Sequence, residues 1–278
     1  MAYEAPTLEE IDEQRKQSSE NVKEKLEKSI EDAAELQKEL QELNKELLQK
    51  NELNWQDKKR IEDVLNKQKK IENQINELNQ ERKESMKNQE EYMQQSEEIL
   101  QKQEQIQKMF DELMSEEMKE LYKKLEELMK ELDQEQLKEQ LEDMELSSEE
   151  LEKELDRTLE LFKQMEFEQE FEKAVEKLEE LAKEQEELSE ESKNSDNNSE
   201  ELKEEQEELN DKFEQVKEDI KALEKLNEDL EDPNEMPDTE SLEESIDEQM
   251  NDASEQLEKN KKNKASESQK GASEQMEQ

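Results

Sequence analysis

Carboxylates dominate the reactive side chains of this sequence. Asp and Glu number 88, while histidine and cysteine are absent. That removes the usual general base, the usual nucleophile–base pair and the commonest zinc ligands. A di-iron bundle needs Glu-x-x-His on paired helices, so that site is lost with the histidine. Gly271 is the single glycine, and a Walker loop needs two within about eight residues, so nucleotide hydrolysis by that route is excluded. Acid–base work by two carboxylates requires a water-excluding cleft that separates their pKa values, and no pair stands out for it. One stretch has the spacing of a calcium loop: Asp232, Asn234, Asp238 and Glu243. Met236, however, fills a ligand slot, and Pro237 replaces the glycine of the sharp turn. The stretch reads as a proline-broken linker between helices. No catalytic, cofactor-binding or metal-ligating residue is assigned, and the expectation is a protein that is not an enzyme.

Composition says what the carboxylates do instead. Charged residues make up 46% of the 278, hydrophobic ones 28% and aromatics 3%, far below the roughly 45–50% apolar content of ordinary globular domains. A seam between helices needs only about two apolar residues in seven, which this chain can supply. Lys and Arg total 41, so the formal charge is −47. A field of that sign repels phosphate and anionic lipid, so nucleic-acid binding is disfavoured and basic partner surfaces are favoured. Most of the charge reads as solvated helix face. No run approaches the roughly 18 apolar residues of a membrane span, and Met1-Ala2-Tyr3-Glu4 does not open a secretory signal. The segment itself is expected to be soluble, without direct membrane insertion. The absence of cysteine leaves the redox compartment open.

The expected fold is all-α: elongated coiled-coil-like helices and antiparallel helical hairpins without a globular core. Residues 1–54 form an N-terminal amphipathic helix and turn, opened by the capping box Thr7-Leu8-Glu9-Glu10. Val22, Leu26, Ile30, Ala33, Leu36, Leu40, Leu43 and Leu47 follow at spacings of three and four. Residues 55–132 read as a long heptad helix with Asn54 as N-cap and Asp57 in its first turn. Ile61, Val64, Ile71, Ile75 and Leu78 take heptad slots, Gln68 takes a polar one, and the seam weakens between Glu81 and Gln105. The polar break at 50–54 predicts an antiparallel hairpin, with one long, locally broken helix as the other reading. Trp55 is expected to pack over that corner. Methionines at helical spacing, such as Met114 and Met118, read as adaptable seam filler before they read as a promiscuous binding surface.

Residues 133–188 hold two further start signals. Asp133 with Gln136 lies inside a Leu132–Leu137 staple, and Ser147 with Glu150 lies inside a Leu146–Leu151 staple. They predict a short helix over 134–145 and a long one from 148 to about 190, with the thickest local core at Phe162, Phe167 and Phe171. Residues 189–199 have no apolar side chain and read as a flexible linker. A heptad helix follows over 200–231, then a Pro-containing linker over 232–239. Residues 240–278 read as one weakly amphipathic C-terminal helix, truncated at its end. The basic end of that helix, from Lys259 to Lys270, is suited to acidic faces of the same chain.

Glu4-Ala5-Pro6-Thr7, Leu53-Asn54-Trp55-Gln56-Asp57-Lys58-Lys59 and Leu178-Glu179-Glu180-Leu181-Ala182-Lys183-Glu184-Gln185 are less generic than their surroundings. Gln269-Lys270-Gly271-Ala272 belongs with them, and Leu155-Asp156-Arg157-Thr158-Leu159-Glu160-Leu161 is the most distinctive. Together these phrases resemble the charged helical region of large Bacteroidota membrane proteins grouped as a domain-of-unknown-function family. The resemblance implies transmembrane helices near the N-terminus of a much longer protein, ahead of a segment like this one, which is then a fragment cut at both ends. Members are sometimes labelled ATPases, a label that the single glycine puts in doubt for this region. The family offers no catalytic residue to carry over.

The first functional expectation is a non-catalytic structural or interaction region. It would act as a spacer or docking surface of a larger membrane-anchored envelope protein, meeting protein partners or itself through the heptad seams. The alternative is an acidic, largely disordered or single-helix segment that folds on a basic partner, because like-charged glutamates four apart oppose helix formation.

Overall fold

The computed structural model describes residues 7–50, 53–92, 95–113, 116–131, 134–194 and 198–278. The fold is all-α and 90% helical, with eight helices and no strand among the described residues. They are α1 (Leu8–Leu48), α2 (Trp55–Tyr92), α3 (Glu97–Glu112), α4 (Glu116–Glu131), α5 (Gln134–Lys193), α6 (Ser199–Glu228), α7 (Glu240–Glu258) and α8 (Lys262–Met276).

The first two helices start where side chains can satisfy otherwise orphaned amides. Thr7 Oγ1 accepts from the Glu10 amide at 3.2 Å, and Glu10 Oε2 accepts from the Thr7 amide at 2.9 Å. Asn54 and Asp57 repeat the device, with Asn54 Oδ1 accepting from the Asp57 amide and Asp57 Oδ2 from the Asn54 amide, each at 3.0 Å. Such a cap stabilises by about 0.5–2 kcal/mol. Lys50 Nζ adds an ion pair to the buried Asp57 at 2.6 Å. Burial alone would raise the Asp57 pKa, but the Lys50 ammonium and the Asn54 amide outweigh it and hold it below its ordinary value. This polar group fills the corner that Trp55 was expected to cover. Trp55 instead stands 73% exposed, with Lys59 Nζ 5.8 Å from its ring.

The chain divides into two units, Met1–Met165 and Glu166–Gln278. In the first, α1 and α2 form an antiparallel hairpin. Lys25 meets Glu81 at 2.5 Å, Asp32 meets Lys70 at 2.7 Å, Glu39 meets Lys67 at 2.6 Å and Glu46 meets Arg60 at 2.5 Å. One number climbs as the other falls. Such solvent-facing pairs contribute about 0–1 kcal/mol each, so they report register more than stability. Beneath them Leu26, Ala33, Leu36 and Leu40 bury against Ile61, Ile71, Ile75 and Leu78. The first part of α5 joins them, with Asn44 Nδ2 donating to Leu141 O at 3.2 Å and to Glu145 Oε2 at 2.6 Å. Ile106 and Phe110 of α3 and Leu125 and Leu128 of α4 complete this core.

Several boundaries depart from the sequence expectation. The described part of segment 55–132 is three helices rather than one, and Ser96 Oγ, accepting from the Ile99 amide at 3.3 Å, starts α3. Asp133 and Leu132 lie outside the described residues. The box at Ser147 starts nothing, since α5 is continuous from Gln134 to Lys193. Leu146 is 60% exposed, so it makes no staple with the buried Leu151. Leu137, Leu141, Met144, Ser148, Leu151 and Leu155 are buried at alternating spacings of four and three straight through the site, and that packing keeps the chain helical. Beyond Met165 the phase changes. The same repeat would bury Glu172, Glu179 and Glu186, all of them exposed, whereas Phe167, Ala174, Leu181 and Leu188 are the buried positions. The phenylalanines therefore do not pool. Phe162 belongs to the first unit's core, Phe167 to the second's, and Phe171 is 44% exposed.

In the second unit the latter part of α5 and helices α6, α7 and α8 run up, down, up and down. Glu184 pairs with Lys212 at 2.6 Å, Lys217 with Asp247 at 2.5 Å, and Gln275 Nε2 donates to Ser245 Oγ at 2.9 Å. The core column of Leu181, Leu188, Leu202, Phe213, Met250 and Leu257 contains a polar layer of Gln185, Gln206 and Gln269. Ser189 and Ser192, expected in a flexible linker over 189–199, are buried in the last turns of α5. Ser189 Oγ lies 2.9 Å from both Ser266 O and Ser266 Oγ. Small hydroxyls let α5 and α8 close without a bulky ridge, which a search for apolar residues cannot detect. The C-terminal stretch 240–278 is a helical hairpin and not one helix. Asn260 takes φ 56 after α7, with bonds from Lys261 N to Gln256 O at 2.8 Å and from Asn260 N to Leu257 O at 2.9 Å. These are the paired closing bonds of a Schellman motif, with asparagine in the left-handed position. Lys259 and Lys270 pair within their own helices, with Glu255 at 2.7 Å and Glu274 at 3.7 Å.

Candidate functional site

Large apolar side chains that stand exposed among the described residues include Leu48, Leu100, Phe171 and Val175. Singly, such residues need no explanation. Phe171 and Val175 differ because they lie one turn apart on α5 and together line a groove of about 410 Å³ in the second unit. Leu178 of α5, Ile220 and Leu223 of α6, Met236 of the linker, Leu242 and Ile246 of α7 and Met276 of α8 form the rest of its apolar wall.

Each wall is fixed from behind. Phe171 stacks on Phe167 with ring centroids 6.2 Å apart, and Phe167 is itself buried with Ala174, Leu223 and Leu230. An offset stack of this kind contributes about 0.5–1.5 kcal/mol beyond burial. The linker is held by Asn227, whose Oδ1 accepts from the Asn234 amide at 2.7 Å and whose Nδ2 donates to Asn234 O at 2.9 Å. That clamp, with Pro233 and Pro237 restricting the backbone, carries Met236 to the groove. The groove is open because α6 ends at Glu228 and α7 begins only at Glu240. Phe171 keeps the core phase of α5, seven before Leu178 and fourteen before Gln185, but a linker replaces helix beside it.

Carboxylates stand around this apolar floor. Glu179, Asp238, Glu243 and Glu277 line it, and no lysine or arginine does. Two of them also hold the local backbone and side chains. Glu243 Oε1 accepts from Thr239 Oγ1 at 2.7 Å, and Asp238 Oδ1 accepts from the Glu240 amide at 3.3 Å. A larger groove of about 590 Å³ in the first unit passes Leu121 and Leu146, but Glu112, Asp143, Glu150 and Lys124 give it a charged wall. Such a wall stays hydrated. The second unit's groove, by contrast, has a lining that can bury apolar side chains.

The stretch with calcium-like spacing is accounted for by these local bonds. Asn234 is clamped to Asn227, while Asp238 and Glu243 serve the start of α7. No group of three or more metal-ligating side chains occurs among the described residues. Met118, Met144, Met165 and Met250 are buried in the helix seams, whereas Met236 and Met276 line the groove, and Met114 lies outside the described residues. Sequence reasoning missed this site because it placed Phe171 in a closed local core. The available signal was a core-phase phenylalanine opposite a proline-containing linker. Compared with known proteins, the chain matches no family model, no curated protein and no solved structure.

Proposed function

We propose that this chain is a non-catalytic structural and interaction region that supplies a spacer and a docking surface to a larger, membrane-anchored envelope protein. The resemblance to Bacteroidota membrane proteins motivates the membrane-anchored parent. No helix among the described residues is long and apolar enough to cross a membrane, so anchoring falls to other parts of that parent. The observation that carries the docking role is the open apolar groove around Phe171 and Val175 on a chain of net charge −47. Burying such a surface under a partner returns about 25 cal/mol per Å² of apolar area covered.

Photo-crosslinking in cells tests this reading. A benzophenone amino acid at position 171 of the parent protein should give discrete protein adducts. The same group at position 228, an exposed glutamate on α6, should give none. Equal labelling from both positions, or none from 171, contradicts a docking role.

A further inference from the structure

The groove's chemistry also restricts its occupant, if it is a docking site as proposed above. Its floor combines two rigid aliphatic helix faces with Met236 and Met276, whose unbranched side chains adapt to different apolar shapes. A floor of this kind suits side chains projecting from one stripe of a helix, the i, i+3, i+4 and i+7 anchors of helix-in-groove recognition. The carboxylates of Glu179, Asp238, Glu243 and Glu277 surround that floor with no cation among the lining residues. An acidic partner would bring like charges together as water leaves, while a basic one would meet opposite charges. The chain's other helices are poor candidates because the chain as a whole is acid-rich, with 88 Asp and Glu against 41 Lys and Arg. The lysine-bearing α8 is already committed, with Ala265, Ala272 and Met276 buried in the second unit's core.

We infer that the groove takes an amphipathic helix of a partner protein, with an apolar stripe of leucine- or phenylalanine-sized side chains flanked by lysine or arginine. Phe171 and Val175 meet the stripe, and the surrounding carboxylates meet the flanking cations. The long-range field of the chain speeds encounter, and the groove supplies the specificity that charge alone lacks.

Calorimetric titration of the full chain at physiological salt tests this, using three synthetic peptides. One carries leucines at i, i+3, i+4 and i+7 among lysines; the second has the same composition in scrambled order; the third has glutamate in place of lysine. The patterned basic peptide is expected to bind with a negative heat-capacity change and the scrambled one at least about tenfold more weakly. The double variant F171S/V175S should weaken the patterned peptide by about tenfold or more. Both positions are already exposed, and an unchanged circular dichroism spectrum verifies that the fold persists. A second variant, E179K/E277K, leaves the apolar floor intact and should weaken the same peptide while steepening no other interaction. Equal binding of the patterned and scrambled peptides, or indifference to F171S/V175S, overturns the inference by reducing it to general charge attraction. Binding of the acidic peptide with sensitivity to F171S/V175S overturns the basic partner but leaves the docking role intact. A wild-type dimer that F171S/V175S dissociates gives the groove to a second copy and overturns the inference too. Failure of all three peptides to bind overturns it as well, and crosslinking at position 171 then decides separately whether docking itself survives.

Discussion

Gln185 and Gln206 are fully enclosed and exchange two hydrogen bonds, each side-chain amide donating to the other's oxygen at 2.9 Å. The Gln206 oxygen also accepts from Gln269 Nε2 at 3.0 Å, and the Gln206 amide donates to Asn210 Oδ1 at 3.0 Å. Asn210 passes the chain on to Ser254 Oγ at 3.2 Å. The network thus ties α5, α6, α7 and α8 at one level of an otherwise apolar column. A shift of any helix by one turn would bury these amides against aliphatic side chains, so the layer selects the register.

Removing only the central member should therefore be costly. Q206L is expected to destabilise by about 1–3 kcal/mol, because Gln185 and Gln269 lose partners they cannot replace with water. The triple change Q185L/Q206L/Q269L removes all three buried amides, leaves only the half-buried Asn210 to turn to water, and should recover that loss, at the expense of a unique register. Urea unfolding of both variants checks the comparison. A Q206L variant as stable as wild type, or a triple variant less stable than Q206L, contradicts the assignment.

Gly271 invites the opposite expectation from a glycine at a helix contact. A Cβ there would come within 2.1 Å of Gln249 Oε1. That oxygen is the tip of a flexible, half-buried side chain and is enclosed without a donor. Swinging it into water removes both the clash and the orphan. G271A should then gain about 0.5–1 kcal/mol of helix propensity, whereas G271L should force α7 and α8 apart at a cost of about 1–3 kcal/mol. Thermal melts of the two variants distinguish them by sign.

Arg82 is a buried cation, 4% exposed, held by Gln107 and by Met86 Sδ, with its guanidinium 5.4 Å from the Phe110 ring. Burial pulls its pKa down to about 10 against the opposing influence of Asp111, and its Nε–H has no acceptor. A well-packed apolar side chain should do as well, so R82M is expected to be neutral or stabilising by about 1–2 kcal/mol. R82A leaves a hole beside Phe110 and should cost about 2–4 kcal/mol. Equal losses in both variants would show that the charge itself is needed.

Acid should first stabilise this protein and then destabilise it. The Glu152 pKa is raised by burial, then by Asp156 and Glu149, so the folded state binds its proton more readily than the unfolded chain. Its penalty is present at neutral pH and is relieved as pH falls through the folded value towards the ordinary glutamate range. Relief of self-repulsion across a net charge of −47 acts in the same direction. Asp57 and Asp32 behave oppositely. Burial raises each, but lysine partners, with Asn54 for Asp57 and Gln74 for Asp32, leave both below the ordinary value. Their contribution is complete above the unfolded aspartate pKa of about 3.9 and disappears as pH falls through the lower folded values. Urea midpoints measured from neutral pH downward should therefore rise, peak above about pH 4 and then drop. A decline that begins at neutrality contradicts these assignments.

The helical class and most seam positions were legible in the residues. Leu26, Leu36, Leu40, Ile61, Ile71 and Ile75 are buried where their spacing puts them, since a periodic stripe is a strong local signal. Caps were legible only where tertiary packing agreed with them. Thr7 and Asn54 start helices, but Ser147 offers the same motif inside a stripe that continues past it, and the stripe prevails. Ser189 and Ser192 were misread for a related reason: small polar residues signal a loop in sequence, yet here they form a tight helix contact. Asn260 was missed in the opposite direction, because 240–278 reads as one helix while Asn260 makes the turn of a helical hairpin. The groove was hidden because its opening depends on what stands beside Phe171, and a single-chain pattern does not carry that neighbour.

The central physical claim is that narrow apolar stripes pack these helices into cooperative bundles without help from a partner. Circular dichroism of the isolated chain at physiological salt, followed through a thermal melt, tests it most directly. The account predicts a helical signal near the 90% of the structure, lost in sigmoidal transitions. A weak signal that fades linearly with temperature, and that recovers only when a basic partner is added, would contradict it.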